Sequence, residues 1–90
     1  MDPFELLEKV ISRDTFFDFL KALEMDKRDE DEKEKIQPSS AYSSGHNGWE
    51  NGTIANYLEA MWAGSRDNNL PEEPTWRTFA EILYQGKTYE

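Results

Sequence analysis

The sequence predicts an all-α fold, a small bundle of about four helices, and three observations predict it. Apolar residues recur with helical spacing in four separate segments. Each segment is opened by a residue that can cap or start a helix. No segment sustains the period-two alternation of a half-buried strand. The helices are expected near 3–11, 13–26, 52–64 and 75–87, in one domain spanning 1–90. A long mobile linker, 27–48, is expected between the second and third.

The first helix has Asp2 as N-cap, Pro3 at the first helical position and Glu5 in the first turn. Phe4, Leu7 and Val10 or Ile11 line its face. Ser12 caps the second, Asp14 suits its dipole, and Phe16, Phe19, Leu20 and Leu23 form its stripe, with Phe17 on the flank. Residues 24–35 (EMDKRDEDEKEK) then carry seven acids and four bases around a single apolar residue, Met25, and 36–48 carry no charge and are rich in Ser and Gly. Such a stretch buries too little apolar surface to offset its ordering entropy, although the Lys/Glu run can extend the helix before it.

Asn51 or Thr53 caps the third helix, whose apolar face is Ile54, Tyr57, Leu58, Met61 and Trp62, with a stop expected near Gly64. Pro74 and Thr75 open the fourth, after Glu72 and Glu73, and Trp76, Phe79, Ala80, Leu83 and Tyr84 form its stripe. Trp62 and Trp76 are therefore expected in the core. Trp49 precedes a helix and is expected to staple onto its first turn near Ile54 or Tyr57. Gly86 weakens the last turn, so Tyr89 should gain burial in return, against Phe16 or Leu20.

Composition narrows function more by exclusion than by assignment. Nineteen acids against ten bases give a net charge of −9, which repels nucleic acid and anionic membranes. There is no cysteine, hence no disulfide, thiolate metal site or cysteine nucleophile. The start lacks the order of a secretory signal and no apolar run is long enough for a membrane span, so a cytoplasmic location is expected. His46 lies among Ser, Gly and Asn with nothing to orient it. The acids Asp26, Asp29, Glu30, Asp31 and Glu32 lack the glycine and terminal glutamate of a calcium loop. Asn51-Gly52-Thr53 matches a glycosylation triplet but reads better as a helix start. With no phosphate loop, zinc spacing or nucleophile elbow, neither an enzyme nor a cofactor is expected.

Trp49-Glu50-Asn51-x-Thr53-Ile54, Tyr57-Leu58-Glu59-Ala60, Pro74-x-Trp76-x-x-Phe79-Ala80-x-x-Leu83 and Lys87-x-Tyr89-Glu90 resemble a group of small bacterial proteins known only as a domain of unknown function. Ser12-Arg13-x-x-Phe16-x-x-Phe19-Leu20-x-x-Leu23 is similar to their opening. The chain departs from that pattern at Gly64, where a bulky residue is expected, and at Gln85-Gly86, where two small, alanine-like ones are. The resemblance implies a fold and carries no catalytic residues.

The leading expectation is a small acidic protein-binding module, an inhibitor or immunity-type partner of a basic protein. Trp49, Glu50, Asp29, Glu30, Asp31 and Glu32 are the candidate contacts. A structural or housekeeping protein is the alternative, and a carboxylate- and metal-dependent enzyme a distant one. A thin core leaves room for a monomer or a weak homodimer.

Overall fold

A computed structural model describes residues 2–90, and among them the regular structure is entirely helical. The four helices are α1 (Pro3–Leu7), α2 (Arg13–Ile36), α3 (Ile54–Asp67) and α4 (Trp76–Thr88). Their starts follow from local chemistry. Asp2 accepts the Phe4 N–H at 3.2 Å, and Pro3 needs no donor there. Ser12 with Thr15, and Thr75 with Thr78, form reciprocal capping boxes, while Thr53 accepts the Asn56 N–H.

Two ends differ from expectation. Helix α1 closes at Leu7 rather than residue 11, because Thr15 Oγ1 accepts the Ile11 and Ser12 N–H groups at 2.9 Å and draws that segment out of the helix. Helix α3 runs through Gly64 to Asp67, where Asn68 and the left-handed Asn69 (φ 52°) end it.

The largest correction concerns the expected mobile linker. Residues 27–36 continue α2 as helix, making it 24 residues long. Ion pairs one turn apart support the extension: Glu24–Arg28 at 2.8 Å, Asp29–Lys33 at 2.9 Å and Glu32–Lys35 at 3.0 Å. Each contributes only a few tenths of a kcal/mol, so a tertiary anchor is also needed. Residues 37–48 supply it, as turns hydrogen-bonded back to α2.

Helix α4 lies at the centre of the fold. Trp76 meets Phe16 of α2 at 5.4 Å between ring centroids, Tyr84 meets Phe4 of α1 at 5.8 Å, and Gly86 faces Tyr57 of α3. Leu7, Val10, Phe16, Phe19, Leu23, Trp49 and Ala80 form the buried core. The backbones of α2 and α3 stay apart, and a groove lies between the two helices.

That open side corrects the expectation for the tryptophans on helices. Trp62 is 62% exposed, with the Arg66 guanidinium 4.4 Å from its ring, because α3 has a neighbour on one flank only. Trp76 reaches Phe16 yet stays 40% exposed. Tyr89 does turn back, but onto α3 rather than onto Phe16 or Leu20. A Cβ on Gly64 would stand 3.0 Å from its ring, and its hydroxyl bonds to Asp67.

Glycines therefore set the α3–α4 distance. A Cβ on Gly86 would lie 2.4 Å from the Tyr57 ring, far inside van der Waals contact. Tyr57 also donates to the Leu83 carbonyl at 2.7 Å, and burial pushes its hydroxyl pKa up to about 12. Both departures from the resembled pattern, Gly64 and Gly86, are thus places where a tyrosine lies on backbone.

Candidate functional site

The acidic run is built into the fold from two sides. Along α2 the apolar stripe Phe16, Phe19, Leu23 continues at helical spacing into Asp26 and Glu30. Both carboxylates consequently point where the core points. Glu30 is 3% exposed and accepts the backbone N–H groups of Asn47 at 2.9 Å and Trp49 at 3.2 Å. Gly45 passes so close that a Cβ there would come within 2.2 Å of the Glu30 carboxylate. Only glycine fits.

Asp26 receives two donors on one oxygen: the Trp49 indole N–H at 2.8 Å and Lys87 Nζ at 2.8 Å. The indole stacks on Tyr57 at 6.0 Å, as its position before α3 suggested. Lys87 and Lys27 lie 5.6 and 5.8 Å from its centroid, within reach of its π face. Next along the chain, Glu50 N–H donates to the Lys87 carbonyl, and Asn51 Nδ2 donates to the Gly86 and Tyr89 carbonyls, closing the C-terminus of α4. The Trp-Glu-Asn motif locks α2 to α4.

Further out, Glu34 accepts the N–H and hydroxyl of Ser39 and the N–H of His46. Those bonds, Ser39's side chain foremost, hold its carboxyl below the usual range. Asp29 is lowered likewise, by Asn47 first and Lys33 second. Glu50 is raised by desolvation and then by neighbouring Glu90.

The six candidate contacts therefore divide. Trp49 and Glu30 are buried and bonded internally, so neither offers surface, contrary to their selection as contacts. Asp29, Asp31, Glu32 and Glu50 are exposed. On α2, Asp29 and Glu32 share the outer face with Asp18 and Met25, whereas Asp31 turns toward the groove. His46 is an exposed loop residue beside the Gln37 carbonyl. Among the described residues no group of His, Asp or Glu is arranged to hold a metal ion, and no helix is long and apolar enough to cross a membrane.

Composition could not reveal Asp26, Lys87, Gly45 and Asn47. A positional signal existed for two of them, since Asp26 continues the Phe16–Phe19–Leu23 stripe and Lys87 continues the Trp76–Ala80–Leu83 stripe. A charge in such a register predicts a buried pair.

This is an all-helical domain closed by a tryptophan-centred polar lock. Residues 12–90 match the family model described as a family of unknown function, DUF7660, and the chain belongs to that family. No curated protein and no solved structure is significantly similar to it.

Proposed function

We propose that the protein is a protein-binding module that engages a basic partner through the outer acidic face of α2. The observation that carries this reading is the continuity of α2, which holds Asp18, Asp29 and Glu32 at fixed spacing beside exposed Met25. A fixed array loses less entropy on binding than a disordered one, and Met packs adaptably on a partner's apolar groups. The net charge of −9 adds long-range attraction for a basic protein.

The test uses paired baits, the natural chain and Asp29→Lys/Glu32→Lys, at low and high salt. A basic protein held by the natural chain at low salt, lost at high salt and absent from the variant supports the reading. Identical captures by both baits, or none at any salt, overturn it.

A further inference from the structure

Two Asn-Gly pairs, Asn47-Gly48 and Asn51-Gly52, lie in the segment before α3. An asparagine followed by glycine is chemically labile, because no side chain screens the glycine nitrogen from the asparagine Cγ. The structure separates the two pairs. Around Asn47 the reacting groups are all engaged. Its Nδ2 donates to the Asp26 carbonyl at 2.9 Å and to the Asp29 carboxylate at 3.0 Å, and its Oδ1 accepts Lys33 Nζ at 2.9 Å. The Gly48 N–H donates to the Gly45 carbonyl at 2.9 Å.

Asn51 is held through one atom. Its Nδ2 donates to the Gly86 and Tyr89 carbonyls at 3.0 and 2.9 Å, while among the described residues neither its Oδ1 nor the Gly52 N–H has a partner. Gly52 is exposed, and nothing beyond its chain neighbours lies within 4 Å of a Cβ built there. Asn51 also lines an open cleft of about 230 Å³, shared with Glu59 and Glu90, that is large enough to admit water.

We infer that Asn51 deamidates spontaneously in the folded chain, a one-way switch that frees the end of α4. The Gly52 nitrogen attacks Asn51 Cγ, and the new N–Cγ bond closes a succinimide as the Cγ–Nδ2 bond breaks. The proton of the Gly52 N–H passes through water to the departing nitrogen, which leaves as ammonia. Water then opens the imide at either carbonyl, giving aspartate or isoaspartate.

The product reverses the contact. A carboxylate has no proton to donate, so the Gly86 and Tyr89 carbonyls lose both bonds and face a negative charge instead. Glu59 and Glu90 already line the cleft, and Lys87 Nζ is engaged with Asp26. The isoaspartate form also lengthens the backbone by one carbon, between Glu50, bonded to the Lys87 carbonyl, and Thr53, the cap of α3.

The test incubates the natural chain, folded and in urea, at neutral and mildly alkaline pH, and follows both asparagines by peptide mass mapping. In the folded chain Asn51 should convert several-fold faster than Asn47, and faster at the higher pH, since the glycine N–H must lose its proton. In urea the two should convert at similar rates. Gly52→Ala, whose methyl meets no clash, should suppress conversion at Asn51 and leave Asn47 unchanged. The converted chain, separated by its added negative charge, and Asn51→Asp should each melt several degrees below the natural chain. Folded-state conversion of Asn47 at an equal or greater rate, no conversion of Asn51 at either pH, or a converted chain with an unaltered melting temperature overturns the proposal. The outer-face reading stands or falls separately.

Discussion

Asp26 and Lys87 meet at 2.8 Å across 61 residues of sequence, and the Trp49 indole N–H shares the same carboxylate oxygen. Three segments thus converge on one atom: the middle of α2, the strap before α3 and the last turn of α4. The Lys87 side chain is 7% exposed and that of Asp26 is 18%. Water does little to replace either partner.

Removing one member leaves the other charge desolvated. Lys87→Met should therefore destabilise the fold by about 3 kcal/mol, while Lys87→Met/Asp26→Leu should cost less than the single change. Chemical denaturation of both variants measures this. A double variant worse than Lys87→Met would mean that the pair is not a coupled unit.

At Gly86 the helix propensity of alanine is favourable by about 1 kcal/mol, and the clash with Tyr57 opposes it. Stacking on Trp49 and the bond to Leu83 prevent the ring from swinging away. Gly86→Ala should accordingly lower stability, since overpacking costs about 1–3 kcal/mol. Gly52→Ala, where no atom lies within 4 Å of the new methyl, serves as control. A stabilised Gly86→Ala protein would show that α3 and α4 are not in this contact.

Tyr89 anchors the tail through Gly64 and Asp67. Truncation by Tyr89→Ala should lower the melting temperature by several degrees, about 4–8 °C for each kcal/mol lost in a domain of this size. An unchanged melting temperature would mean a loose tail.

Acid should loosen the 37–48 segment before the core. Glu34 is held below its ordinary value of 4.5, so its contribution is full above pH 4.5 and disappears as pH falls through the lowered value. Glu50, raised by desolvation and by Glu90, works in the opposite sense: its contribution is full below 4.5 and is lost as pH rises through the raised value. Amide shifts of Ser39 and His46 report the first event. Titration of those amides at or above pH 4.5 would contradict it.

Stripes and caps were legible because they depend on residues close in sequence. Ser12 and Thr75 open α2 and α4 as local rules require, and Phe16, Phe19 and Leu23 are buried at helical spacing. The anchoring of the acidic run is not legible in the same way, because its acceptors bind backbone amides. Glu30 and Glu34 satisfy N–H groups of a Ser/Gly segment, whose composition says nothing about where those groups point. Exposure of Trp62 was illegible for another reason, since a stripe shows which face is apolar and not whether a neighbour covers it.

Order in the outer half of α2 is the claim on which the acidic face rests. Amide hydrogen exchange over residues 27–36 tests it most directly, in the natural chain and in Glu30→Gln. Protection in the natural chain that falls in Glu30→Gln, with residues 16–23 still protected in both, is the predicted result. Exchange over 27–36 at the rate of an unfolded chain in the natural protein would contradict the account.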